Sequence, residues 1–239
     1  HDYTATKVVL RSGGGSTLSF SAEGNNFSCA NATVEGTWEN DVVNADLAKV
    51  AGYLKLLQDA GIPVLFRPLH EAAGDYSWGP WFWWGNSGVE ATKELWKYLY
   101  NKLTYEYGLN NLIWVWTMQV KDGGLMASAQ TVAAAYPGNE FVDIVGADIY
   151  ADSPLTDQSA TFYLINQVVE GKKMVALSEC GNLVDPAQAL EKKALWSFFM
   201  QWYDTNEQGT YGHFNYSGEQ WKTVNQNPCV LKRGDYGIN

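Results

Sequence analysis

Two glutamates stand directly after short apolar runs. Glu71 closes IPVLFRPLHE (residues 62–71) and Glu179 closes KMVALSE (residues 173–179). Carboxyls delivered by two different strand ends are what glycoside hydrolysis needs. In a retaining enzyme one attacks the anomeric carbon and the other serves as acid, then base, with roughly 5–5.5 Å between them. The surroundings of Glu71 suit an acid. Arg67 has the fork to hold a carboxylate bidentately, and His70 adds a donor. The segment GDYSWGPWFWWG (residues 74–85) then brings Trp78, Trp81, Trp83 and Trp84 within seven residues. An apolar wall of that kind raises a carboxyl pKa and keeps an acid protonated near neutrality. Asp148 and Tyr150 close the run FVDIVGADIY (141–150) and are expected to orient one glutamate or the other. Trp202, in WSFFMQWYD (196–204), suits the floor of a sugar subsite.

These residues need a scaffold that ends many strands on one face. Val43, Leu47, Val50, Leu54 and Leu57 recur at helical spacing in 41–60, which predicts an amphipathic helix closed by Gly61. The apolar run after it predicts a buried strand over 62–69. The alternation then repeats. Helices are expected over 89–106, 125–135, 158–169 and 186–195. Strands are expected over 111–118, 141–150, 173–181 and 196–204, and a last helix over GEQWKTVNQ (218–226). Strands alternating with helices predict parallel βαβ units. The longer loops after strands carry the Trp and acidic residues, as at the active face of a (β/α)8 barrel. Before residue 41, TKVVLRS-GGG-STLSFSA reads as a hairpin. With no internal repeat or linker, residues 1–239 are expected to form a single domain.

Composition narrows the chemistry. A formal net charge of −10 with only 16 Lys and Arg argues against a nucleic-acid partner. No apolar run approaches the roughly 20 residues of a membrane helix. The 11 Trp and 14 Tyr suit sugars, whose C–H faces stack on rings. The three histidines (His1, His70, His213) form no HExxH, and Cys29, Cys180 and Cys229 have no zinc spacing, so no metal or other cofactor is expected. Three cysteines allow one disulfide at most. Gly13–Gly15 reads as a turn rather than a phosphate loop, and no GxSxG elbow is present. Sequons occur at Asn26, Asn31 and Asn215.

RPLHE (67–71) followed by WFWWG (81–85) resembles the acid/base strand and Trp-rich loop of glycoside hydrolase family 26, and SECG (178–181) resembles its nucleophile segment. NLIWVW, YPGNEFVDIVGADIY and WKTVNQNPCVL extend the likeness over most of residues 41–235. The resemblance implies a (β/α)8 barrel of the retaining clan, with the acid/base after the fourth strand and the nucleophile after the seventh. It gives Glu71 and Glu179 those roles. Arg67, His70, Trp81, Tyr150 and Trp202 match positions around the cleaved sugar, Trp84 joins them as a sugar-contacting indole, and His1 falls where the family has a histidine after its third strand. The spacer AAGDYSWGP is longer than the family's usual one. Strands one to three of the barrel are expected to be absent from this chain. The implied activity is that of a secreted, monomeric endo-β-1,4-mannanase acting on β-mannan. Xylan or mixed-linkage glucan hydrolysis, or sugar binding without turnover, are the alternatives.

Overall fold

A computed structural model describes residues 22, 27–72, 80, 82–122, 125–150, 158–202, 216–232 and 234–235. The expected hairpin over residues 6–22 lies outside them apart from Ala22. The described residues group into two compact units. One is drawn from the span His1–Gln119 with Gln130–Ile144, the other from Val120–Ala129 with Val145–Asn239.

The first unit opens with helix α1 (Trp38–Asp59). Thr37 caps it by accepting from the Asn40 N–H, and Glu39 and Asp41 place negative charge in the first turn. Val43, Leu47, Ala51 and Leu54 are its buried stripe. Strand β1 (Val64–Phe66) pairs in parallel with β2 (Leu112–Asp122), Val64 opposite Leu112. Between them runs α2 (Val89–Asn101), which continues as a π-turn over Lys102–Glu106. Trp96 of α2 is fully buried edge-on to Trp114 of β2, and its indole donates to the Phe141 carbonyl at 3.1 Å. From Trp114 to Val120, β2 is buried at every residue, as befits a strand covered on both faces. Asp143 pins the start of that run: its backbone N–H donates to the Trp114 carbonyl and its carboxylate accepts from the Trp114 N–H.

In the second unit β4 (Ile144–Tyr150, from Val145 on), β5 (Met174–Cys180) and β6 (Phe199–Gln201) lie in that order, β6 parallel to β5. The linking helices are α4 (Ser159–Val168) and α5 (Pro186–Glu191), the latter capped by Asp185 with Pro186 in its first turn. Helix α6 (Gly218–Gln226) begins in a capping box between Ser217 and Gln220. Leu183, Tyr216 and Val224 pack together with Phe199, Trp221 and Val230 against them. In each unit strands alternate with helices, β1 parallel to β2 in the first and β6 parallel to β5 in the second, the pattern of an α/β fold.

Several boundaries differ from the sequence expectation. The helix expected over 125–135 is instead a two-residue strand, β3 (Leu125–Met126), antiparallel to the end of β2, followed by a shorter helix α3 (Ala129–Ala135). The apolar residues Leu125 and Met126 extend the sheet rather than the helix. The strand expected over 62–69 is paired only at 64–66. Pro68 has no N–H to give, and Leu69 adopts φ 50°. The last strand is confined to 199–201.

Candidate active site

Beyond β1 the chain leaves extended geometry. Leu69 and Glu71 both occupy the left-handed region (φ 50° and 51°), which costs a branched or long side chain about 1–3 kcal/mol and must be held by its surroundings. Two backbone bonds hold it. The Glu71 N–H donates to the Thr117 carbonyl of β2 at 3.2 Å, and the His70 carbonyl accepts from the Trp84 indole at 2.8 Å. Trp84 is itself fixed: its ring stacks on Phe82 (4.3 Å, 13° between planes), and its carbonyl accepts from Thr92 Oγ1 at 2.6 Å. The His70 ring lies 4.8 Å from Phe82 and 5.7 Å from Trp84. Gly85 permits this fold-back, because a Cβ there would stand 2.7 Å from the Ala72 carbonyl oxygen. Glu71 is buried at the end of this braced segment. Arg67 and His70 are half-buried and Trp84 is buried.

The second unit holds its acidic groups on regular strands. Asp148 (β4) is fully buried and accepts from Ser178 Oγ (β5) at 2.7 Å. Two residues along β4, the Tyr150 hydroxyl donates to Glu179 Oε2 at 2.7 Å. Glu179 is 4% exposed. Cys180 follows it, its thiol donating to the Met200 carbonyl of β6 at 3.4 Å. Burial pushes the Cys180 thiol up to about 12, helped by the nearby charges of Asp148 and Glu179. Trp202 is 42% exposed, and its backbone N–H donates to the Cys180 carbonyl.

The structure thus places Tyr150 on Glu179. It gives Asp148 a serine partner that sequence reasoning did not single out. Thr117, which receives the Glu71 N–H, was likewise missed, since a threonine inside an apolar strand carries no chemical signal. His1 and Trp81 lie outside the described residues. Cys29 and Cys180 are buried free thiols and Cys229 is an exposed one. Among the described residues no helix is long and apolar enough to cross a membrane.

Parallel strands alternating with helices, with carboxylates where the strands end, define an α/β protein of the (β/α)8 type. A sequence model described as Glycosyl hydrolase family 26 matches residues 17–234, and the chain belongs to that family. It is 40% identical over 178 residues to mannan endo-1,4-beta-mannosidase B of a Piromyces species, covering 74% of this chain and 27% of that protein. It is 41% identical over 167 residues to mannan endo-1,4-beta-mannosidase of Thermothelomyces thermophilus, covering 67% of this chain and 30% of that protein. Among solved structures, a beta-mannanase from a symbiotic protist of the termite Reticulitermes speratus, complexed with gluco-manno-oligosaccharide, superposes with TM-score 0.77. It is 35% identical, with 94% of this chain and 64% of that one covered. A ruminal GH26 endo-beta-1,4-mannanase superposes with TM-score 0.80 at 27% identity, covering all of this chain and 55% of that one. The chain therefore spans about a quarter of the curated Piromyces relative and somewhat more than half of these solved chains.

Proposed function

We propose that this chain is the catalytic part of a retaining endo-β-1,4-mannanase, a single catalytic domain acting as a monomer on mannan outside the cell. Glu179 attacks the anomeric carbon while Glu71 protonates the departing glycosidic oxygen. Glu71 then takes a proton from water, which releases the sugar from Glu179. Arg67, His70, Trp81, Trp84, Tyr150, Trp202 and His1 bind the sugar around the scissile bond, and Asp148 braces the nucleophile strand.

The observation that carries this reading is the 2.7 Å bond from the Tyr150 hydroxyl to Glu179 Oε2. A buried carboxylate that accepts a phenol O–H is oriented rather than left to turn freely, as an attacking oxygen must be. The relatives' names supply the substrate class, and no cofactor is required by a two-carboxylate displacement.

The test is reducing-sugar release from linear β-1,4-mannan, beside xylan and barley mixed-linkage glucan, by the 239-residue chain. Release from mannan alone supports the proposal. Release from xylan or glucan instead transfers the mechanism to that polymer. Sugar binding by the folded chain, with no release from any of the three, overturns it in favour of a binding module.

A further inference from the structure

Gly181 is a glycine for want of space rather than for backbone freedom. The chain's Gly36, Gly61, Gly108 and Gly171 all have positive φ with open room around them, whereas Gly181 lies outside the left-handed region. A Cβ at Gly181 would stand 2.8 Å from Tyr150 Cδ1 and 3.3 Å from the Tyr150 Cα. Real side chains do not approach that closely, so something would have to move.

The backbone is poorly placed to move. The Gly181 N–H donates to the Ile149 carbonyl at 2.9 Å, the Cys180 carbonyl accepts from the Trp202 N–H at 3.0 Å, and the Cys180 thiol donates to the Met200 carbonyl. Residues 180 and 181 are thereby tied to the strand on either side. The Tyr150 ring is what must yield. The clash falls near the root of the ring and the hydroxyl lies at its far end. A small tilt at Cδ1 therefore becomes a larger displacement of the oxygen that donates to Glu179 Oε2.

We propose that Gly181 is a positioning residue, one whose missing side chain lets the Tyr150 ring lie close enough for its hydroxyl to reach Glu179. The inference rests on the mannanase reading for its kinetic consequence, but its geometric content stands apart from that reading. Gly181 touches no substrate in this account; it acts through Tyr150.

Two measurements on Gly181→Ala separate the possibilities. The first is its crystal structure, which does not depend on turnover. The Tyr150 Oη to Glu179 Oε2 distance is expected to open beyond hydrogen-bond range, about 3.5 Å. An unmoved ring with the bond intact overturns the proposal, whether or not the wild-type chain hydrolyses mannan. The second is steady-state kinetics on mannan. Gly181→Ala is expected to lower kcat by about ten-fold or more with KM changed less than about two-fold, the pattern of an interaction that matters in the transition state. In a Tyr150→Phe background the same substitution is expected to lower kcat no further. An equal loss in both backgrounds overturns the proposal, since Gly181 would then be acting by another route. Should Gly181→Ala fold poorly, the drop in melting temperature it causes is expected to be smaller in a Tyr150→Ala background, where the ring it strikes is gone, than in the wild-type chain. An equal drop in both backgrounds would put the clash elsewhere and sink the idea. A wild-type chain with no turnover on any polymer would defeat the mannanase reading while leaving the crystallographic result to decide this one.

Discussion

The two units hold a glutamate by opposite means. In the first, Glu71 stands past the end of a three-residue strand, on backbone turned twice into the left-handed region, and an aromatic stack keeps it there. In the second, Glu179 lies inside a seven-residue strand whose six residues from Val175 to Cys180 are all buried, and a phenol and a neighbouring serine–aspartate pair orient the strand's polar groups. One arrangement stores strain and depends on side-chain packing. The other uses the ladder itself and adds hydrogen bonds across it. Sites that tolerate different environments for two carboxyls are how one enzyme runs acid and nucleophile chemistry at a single pH.

The sharpest way to break the contrast is to remove each carboxylate. Glu179→Ala is expected to lower mannan hydrolysis by at least about 10³-fold, as loss of a nucleophile does. Glu71→Ala is expected to cost about 10²–10⁴-fold on mannan. On an aryl mannoside with a good leaving group, which needs no protonation to depart, the first step should be largely spared in Glu71→Ala only. Equal losses on both substrates for both variants would erase the assigned difference in role.

Packing is the next lever. Trp84→Ala removes a buried ring and the donor to the His70 carbonyl together, and is expected to destabilise the fold by about 3–5 kcal/mol in a denaturant titration. Ser178→Ala leaves the fully buried Asp148 short of a donor and is expected to cost about 1–3 kcal/mol by the same titration. If the serine variant were the more damaging, the second unit, and not the first, would be the one that leans on a single side chain.

The smallest effect concerns the thiols. Burial pushes Cys29 and Cys180 each up to about 12, from an ordinary 9.0. At pH 8 iodoacetamide is expected to modify only the exposed Cys229 of the native chain, and all three after unfolding, read by mass spectrometry. A thiol whose folded pKa is raised holds its proton better when folded. Its contribution is therefore complete below pH 9 and is lost as pH rises from about 9 towards 12.

Much of this arrangement was legible in the sequence, and the misses have physical causes. Period-3.6 apolar spacing gave α1, and near-continuous apolar runs gave β2, β4 and β5, because strands covered on both faces need no polar alternation. The apolar run predicts a longer strand than β1 because it does not reveal where pairing stops, although Pro68 marks the place. Leu125 and Met126 suit either element, so their letters alone predict helix where β3 forms. Residue type alone singles out Glu71, Glu179, Asp148 and Tyr150 as candidates. Nothing in the letters announces Thr117, and the SECG segment gives Ser178 and Gly181 no role of their own. A serine, a threonine and a glycine acquire meaning only once neighbouring strands bring Asp148, Glu71 and Tyr150 against them.

The claim that Glu179 is the nucleophile admits a direct measurement. A mannoside carrying fluorine at C2 and a good leaving group slows release of a glycosyl-enzyme more than its formation, so the covalent species accumulates. Peptide mass spectrometry of the treated chain is expected to find the sugar's mass on the peptide bearing Glu179, and no label in Glu179→Ala. Label on another residue, or none from a chain that turns over mannan, would contradict the account.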